Sequence, residues 1–512
     1  MRQLKISIID LIYNSYTVSL YNRAMLPNFM SIMPQVIGVW CMEEGHEVNY
    51  SIFTGSQKLK KLSPDDVDLV FISAFTFTAQ FAYALSNYYR SKGIVTVLGG
   101  PHARCYPEDA CLYFDYVMGL TNKALLIDLL HNFELNKSFG SYLTAASQPE
   151  TLPGVRQRWE FIEKIHKKMP VIKIIPMIGS LGCPYNCDFC IDSDIPYQVL
   201  DMEEVKEDLA FLVKTKKHPR VGWFDPNFGV QFDLFMDTIE SVVPPGTIDF
   251  VAECSLSILN ERNVKRLQRN GFVAIMPGIE SWFEYGKKSK MGSKIGMEKV
   301  KKAADQVNLI QKYIPQVHIN FMFGFDSDAG ELPFTLTKHF IDLVPGAYPS
   351  YQILSIFGQS TQSNFRYENE NRIIPFPFHM LRTVHTLNVI PENYTWEAFN
   401  MHMIDLLKYS FSPRAIYRRF TAIHYNTSRW ITLFMSLTVG GTGKIRFLSD
   451  MVKHIRKDQD FQAFLNKESP QVPQFMREKV KKDLGPLWYW LPDKSLSYNP
   501  NVLSRAKSYY DK

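Results

Sequence analysis

Short apolar runs at 6–12, 46–53, 68–73, 94–98 and 116–118 alternate with stretches at 34–44, 78–91 and 123–132 whose apolar residues recur every three to four positions. Runs of this length predict buried strands, and the longer spacing predicts amphipathic helices packed on them. Regular alternation of the two predicts an α/β fold, here a doubly wound, Rossmann-like domain over residues 1–136. Residues 137–169 are polar and rich in Gly, Ser, Pro and mixed charge, the composition of a linker. The alternation then resumes, with strands predicted at 171–178, 220–224, 247–253, 272–278, 316–323 and 351–357 and helices between them, as at 202–214 and 261–270. Six such repeats predict a partial (β/α)6 barrel over 170–377, whose site lies at the C-terminal strand ends. From 378 to 512 the strand pattern stops and helical spacing takes over, a helical extension.

The first barrel strand runs into Leu181-Gly-Cys-Pro-Tyr-Asn-Cys-Asp-Phe-Cys190, which places three thiols at Cys183, Cys187 and Cys190 on one loop. Iron–sulfur clusters are held by thiolates, four in a complete protein cage. Three local cysteines leave the fourth iron open to a small chelating ligand. A zinc site would need a fourth protein ligand at a paired spacing, and none follows nearby. Three cysteines in eight residues, with Gly, Pro, Asn and Asp among them, are not a core pattern either.

Further strand ends carry polar or glycine clusters. Phe224-Asp-Pro-Asn-Phe228 offers Asp225 and Asn227 as hydrogen-bonding groups, or as an Asx or proline turn. Glu253 ends the third barrel strand, facing either a ligand or a neighbouring lysine. Gly278-Ile-Glu-Ser281 follows the fourth and Asn320-Phe-Met-Phe-Gly-Phe325 the fifth. In the N-terminal third, Ser73-Ala-Phe-Thr-Phe-Thr78 and Gly99-Gly100-Pro-His102 sit where open α/β sheets bind ligands, beyond the carboxyl ends of the strands.

The CxxxCxxC run, with Phe189 before its last cysteine, resembles the signature of the radical S-adenosylmethionine (SAM) superfamily. The resemblance implies a 4Fe–4S cluster on Cys183, Cys187 and Cys190, and SAM bound to the open iron. It also implies that an electron from the cluster cleaves SAM to methionine and a 5′-deoxyadenosyl radical. GIES at 278–281 resembles the segment in which Glu280 hydrogen-bonds SAM beside Ser281, and the Asn320 to Gly324 strand the one that packs on adenine. Asp225, Asn227 and Glu253 complete the expected SAM set. EEGHEV at 43–48 and VLGGPHARCYPED at 97–109 resemble the cobalamin-binding domain found in front of many radical SAM enzymes. This implies Ser73, Thr76, Thr78, Gly99, Gly100 and His102 as cobalamin contacts. With no DxHxxG, a histidine ligating cobalt from below is not expected. Two turns depart from the relatives' pattern: Gly119-Leu-Thr-Asn122, where Gly-Glu-Gly-Glu is common, and Ser355 to Thr361, where Pro-x-Pro-Gly-Thr is common. TLNVIPENYTWEAF at 386–399 and SFSPRAIYRRF at 410–420 resemble a helical extension shared by the hopanoid C-2 methylases among others. The implied activity is cobalamin-dependent methylation of an unactivated carbon. Radical cyclisation, oxidation or rearrangement, a cobalamin-free member, and a non-enzymatic Fe–S redox protein are the alternatives.

Composition narrows this little further. The 512 residues are 46% hydrophobic and 21% charged, those of a globular protein of two or three domains. A net charge of +6 is small for this length and favours an anionic substrate, partner or membrane surface only mildly. Seven cysteines, three of them clustered, suit a reducing cytosol and a metal site rather than a disulfide framework. No signal peptide is read at the N-terminus and no run is long enough to span a bilayer, so a cytoplasmic location is expected. Expected partners are a small-molecule or lipid-like substrate and a reducing donor such as flavodoxin or ferredoxin, with no nucleic acid. Interleaved Trp, Phe and basic residues in 428–461 and 478–490 suggest peripheral membrane contact.

Overall fold

The computed structural model describes residues 2–498 apart from 56, 134–138, 170–171, 194, 287–290, 361 and 441. The expected domain boundaries near 136 and 170, Thr361 and the last part of the helical extension lie outside the described residues.

Two six-stranded parallel sheets organise the chain. The first contains β1 (Lys5–Leu11), β2 (Glu47–Phe53), β3 (Leu69–Ala74), β4 (Val95–Gly99), β5 (Tyr116–Met118) and β6 (Ser141–Leu143), in the order β2-β1-β3-β4-β5-β6. The second opens on β7 (Ile174–Met177). A two-stranded antiparallel hairpin, β8 (Ser180–Leu181) with β9 (Gln198–Val199), interrupts it. It continues through β10 (Arg220–Trp223), β11 (Asp249–Ser255), β12 (Phe272–Glu280), β13 (Gln316–Phe323) and β14 (Tyr348–Ile353). The order β14-β13-β12-β11-β10-β7 follows the chain, and β7 does not pair with β14, so this is an open (β/α)6 arc.

The apolar runs form parallel strands because both faces of each are covered. Along β1 the side chains alternate between two cores. Ile6 and Ile8 face a core continuous with the barrel, while Ile9 and Leu11 face one that holds Phe461, Phe464, Met476 and Val480 of the C-terminal helices. The N-terminal sheet is thus packed between the barrel and the helical extension. Its strand period of two assigns alternate residues to each neighbour.

The stretch read as a linker carries structure. β6 adds to β5 through the Tyr116–Ser141 register, and the helix Trp159–His166 buries Phe161, Ile162 and Ile165. Arg158, only 1% exposed, donates to the carbonyls of Pro153 and Pro176 and to Gln35, which fixes this stretch to both sheets. Polar composition misleads here because its polar groups bond to neighbouring elements instead of water. The sixth barrel strand begins at Tyr348, three residues earlier than expected. Pro349 is tolerated because β14 is an edge strand, with no second partner needing its N–H.

A candidate cluster loop facing a cavity between two sheets

The loop bearing the three cysteines is closed by the β8–β9 hairpin. Gly182 opens it with φ +63°, and a Cβ there would lie 2.3–2.4 Å from the carbonyl oxygens of Pro196 and Ile195, so only glycine fits. The Cys183 amide donates to the Ile195 carbonyl across the loop (3.3 Å), and the Cys190 amide to the Cys187 carbonyl (2.9 Å). Asp225 anchors the approach from below. Its buried carboxylate accepts from the Gly179 amide (3.2 Å) and the Ser180 hydroxyl (2.5 Å), and burial raises its pKa to about 6. On the far side, Phe189 meets the edge of Tyr285 at 5.1 Å and leans on Phe325, while the Tyr285 hydroxyl donates to Asp188 at 2.6 Å. Cys187 is buried, and Cys183 and Cys190 are partly so.

This donor set fits a cuboidal cluster. Its chemistry is that of an iron–sulfur cage one thiolate short, three thiols on one loop. Thiolates that each bind a different iron have to be spread around the cluster.

At the other barrel strand ends, Asn227 accepts the Ser255 amide (2.9 Å) while its own amide nitrogen is buried with no partner. Glu253 is exposed on β11. Glu280 adopts φ +64°, and its carboxylate folds back so closely that a Cβ on Gly278 would be 2.1 Å from it. The β12–β13 register slips between Gly278 and Glu280. Ser281 is buried, its hydroxyl accepting from the Phe283 amide (3.1 Å). Its carbonyl and that of Glu284 both accept from the ammonium of Lys299, itself fully buried. Asn320 makes a long bond to the Met276 carbonyl (3.4 Å). Gly324, at φ +102°, donates its amide to Asp328 (2.9 Å).

A cavity of about 350 Å³, lined mostly by apolar side chains, lies where the carboxyl ends of both sheets meet. The N-terminal sheet supplies Ser73, Phe75, Gly99 and Gly100, and the barrel supplies Leu181, Gly182, Phe224 and Pro226. Gly100 sits at φ +92°, where a Cβ would lie 2.9 Å from the Ala74 carbonyl. Arg104 and Asp192 both line the cavity and pair across it at 3.0 Å, which ties the first sheet to the cysteine loop. Neither Arg104, Asp192, Tyr285 nor Lys299 was expected from sequence, because each acts through a partner about 15 to 100 residues away.

Three of the six residues expected to meet cobalamin do not reach this cavity. Thr76 and Thr78 form a buried single turn, where the Thr78 hydroxyl donates to the Phe75 carbonyl (2.9 Å). His102 points inward from the short helix Pro101–Cys105. Its ring bonds to the Tyr83 hydroxyl at 2.6 Å and abuts Phe378, and desolvation lowers its pKa to about 3. One residue along a helix turns the side chain by about 100°, which is why Pro101 lines the cavity and His102 does not.

Asp10, at the end of β1, accepts from the Ser31 amide (2.7 Å) at the start of the helix Ile32–Glu43, whose first turn also lines the cavity. Its other oxygen is buried without a partner, and burial raises the pKa from 3.8 to about 7. Because the folded value is the higher one, stability from this group is complete below pH 3.8 and is lost as pH rises to 7. The loss is on the order of 4 kcal/mol. Asp10→Asn is therefore expected to melt at a higher temperature than the native chain at pH 8. The gap should narrow steadily as pH falls towards 4, as followed by thermal unfolding.

The Radical SAM superfamily domain matches residues 177–329. Among characterised relatives, bacteriochlorophyllide d C-8(2)-methyltransferase of Chlorobaculum tepidum is 27% identical over 236 residues, covering 42% of this chain and 50% of its own length. Bacteriochlorophyllide d C-12(1)-methyltransferase of the same organism is 22% identical, covering 72% of this chain and 80% of its own. The chain thus spans half the length of the first relative. In fold it is similar to the radical SAM methyltransferase TsrM of Kitasatospora setae, solved with tryptophan and a SAM analogue (TM-score 0.56, 12% identity, 90% of this chain and 100% of that one). It is likewise similar to the cobalamin-dependent radical SAM enzyme OxsB, solved with aqua-cobalamin (TM-score 0.55, 12% identity, 99% and 84%). The domain match lies over the thiol loop and the strand ends that follow it, and that stretch of the chain is similar to the Radical SAM superfamily.

Proposed function

We propose that this enzyme methylates an unactivated carbon of a small or lipid-like molecule, with cobalamin held in the cavity between the two sheets. The observation that carries the reading is the cavity itself. It brings the cysteine loop and the Gly99–Gly100 turn of the N-terminal sheet to the same space. The methyltransferase names of the two bacteriochlorophyllide relatives and the aqua-cobalamin bound to OxsB support it. When bound, the cluster and SAM supply an electron and a hydrogen-abstracting adenosyl fragment, and cobalamin supplies the methyl group.

The chain's own residues hold and shield these groups. Cys183, Cys187 and Cys190 hold the cluster, and Asp225 fixes the strand end from which their loop departs. The aromatic wall of Phe189, Tyr285 and Phe325 keeps water from the loop. The unpartnered Asn227 amide is a donor for SAM, and Glu280 an acceptor for it beside Ser281. Asn320 and Gly324 flank that position. Gly99, whose Cβ position is open, and Ser73 face the corrin side. Electrons come from a donor of the flavodoxin or ferredoxin type.

Anaerobic reconstitution followed by cobalt and iron analysis tests the reading, together with transfer of labelled methyl from SAM into product. Iron without cobalt would remove the methylation reading. Glu280→Ala is expected to weaken SAM binding at least about tenfold, the cost of one charge-assisted hydrogen bond. Its iron content should stay intact; equal loss of iron would make Glu280 structural.

The extension also carries an exposed apolar face. Trp430 (63% exposed) and Phe434 (47%) lie one turn apart on the helix Asn426–Met435, and Leu437 (57%) follows on the π-helical turn Ser436–Gly440. That face supports peripheral contact with a membrane. No association with anionic vesicles on flotation at low salt would dismiss it. Among the described residues no single helix is long and apolar enough to cross a membrane.

A further inference from the structure

Beyond the cavity, a group of basic side chains lies where the chain after the short turn Phe378–Met380 meets the start of the helix Thr442–Lys457. Arg382 lies with its guanidinium 4.6 Å above the ring of Phe77 and 5.9 Å from that of Tyr13. Lys444 donates one hydrogen bond to the Tyr351 carbonyl (3.0 Å), and the His385 ring packs at a tilt on Phe447 at 4.5 Å. Protein crowds all three groups, yet each retains partial solvent access.

Their charge is not neutralised within the described residues. Among the described residues neither Arg382 nor Lys444 forms an ion pair. The one carboxylate in reach, Asp483, is already engaged by His379 (2.9 Å), Lys479 (2.8 Å) and Ser15 (2.9 Å). The His385 amide donates to the Arg382 carbonyl (2.9 Å) and its ring packs on Phe447, one helical turn from Lys444, which brings the three groups together. Burial first and the neighbouring cations second lower the pKa of His385 and of Lys444, the latter to about 8. Like charges gathered where water is scarce are unfavourable unless an anion joins them. The group also adjoins the cavity, since Phe77 stacks at 5.8 Å on Phe75, which lines it.

We propose that Arg382 and Lys444, with His385 beside them, bind an oxyanion, the carboxylate or phosphate end of a substrate whose apolar body reaches the cavity. The Arg382 guanidinium sits over an aromatic ring and has N–H groups suited to bidentate recognition, and the two spare donors of Lys444 add to them. That the anion belongs to the substrate rests on the function proposed above; the site itself does not.

The test is calorimetric titration of the cluster-loaded, full-length protein with pyrophosphate and, separately, with citrate at constant ionic strength. One of the two is expected to bind, and which one does tells phosphate from carboxylate. Arg382→Gln and Lys444→Gln should each weaken that binding at least about tenfold. Arg446→Gln, which removes the same charge from an exposed position two residues away, should not. If Arg382→Gln fails to fold, Lys444→Gln and Arg382→Lys carry the comparison. Binding of neither anion, or equal weakening by Arg446→Gln, would overturn the site. Formation of 5′-deoxyadenosine from SAM is measured alongside. A protein that cleaves SAM but ignores both anions refutes the anion site alone, and one that binds an anion without cleaving SAM refutes only the radical reading.

Discussion

Cys187→Ala protein, reconstituted anaerobically, is expected to form no 5′-deoxyadenosine above background and to lose most of its iron. Cys187 is the most enclosed of the three clustered thiols, at 6% exposure, and its backbone carbonyl receives the Cys190 amide, so it lies at the centre of the loop's fold. Alanine preserves that backbone bond while deleting the donor, which separates a ligand role from a folding role. Three thiolates are already one short of a protein cage. Two cannot retain a cuboidal cluster with an open corner for SAM. Cys254 supplies the control. It lies buried at the end of β11 with a thiol whose pKa burial pushes up to about 12, so it is protonated and enclosed in the core. Cys254→Ala should keep both iron and SAM cleavage. Undiminished 5′-deoxyadenosine from Cys187→Ala would refute the cluster assignment.

The second large effect is expected from Lys299→Met. The ammonium is fully buried and donates to the carbonyls of Ser281 and Glu284, and desolvation lowers its pKa to about 8. Charge-assisted bonds of this kind contribute about 1.5–3 kcal/mol each, and methionine fills the volume while leaving both carbonyls without that donor. The loss should therefore be on the order of 3 kcal/mol, a fall of several degrees in Tm. The consequence for function is more specific. Glu280 holds a left-handed backbone conformation, which costs a non-glycine residue on the order of 1 kcal/mol. The lysine ties down the turn that enforces it. Once the turn is released, Glu280 relaxes, so SAM affinity should fall while iron content is retained. A variant with a lowered Tm and unchanged SAM affinity would make Lys299 a stabilising residue only.

The cysteine loop and the βα alternation were legible in the sequence because both are local. A CxxxCxxC spacing sets ligand chemistry within eight residues, and an apolar run predicts a strand wherever two faces are to be covered. Glu280 could be singled out by its GIES setting. Lys299, which ties down its turn, could not, since one lysine in the run Lys299-Val-Lys-Lys302 reads like the others. Only packing shows which is buried. His102 illustrates the reverse error. Its place after Gly-Gly suggested a ligand contact, but one helical step rotated it into the core against Tyr83 and Phe378.

The sequence by itself determined the α/β class, the two sets of parallel strands and the three-thiol loop, since these follow from local periodicity and spacing. The tertiary structure alone decided how those parts share a site. The N-terminal sheet lies between barrel and C-terminal helices because its strands divide alternate side chains between two cores. That packing turns the carboxyl ends of both sheets towards one cavity and closes Arg104 onto Asp192 across it. It also gathers Arg382, His385 and Lys444 into one group. Such contacts join residues tens to hundreds of positions apart. They depend on complementary surfaces meeting in space, which no local pattern of residues encodes.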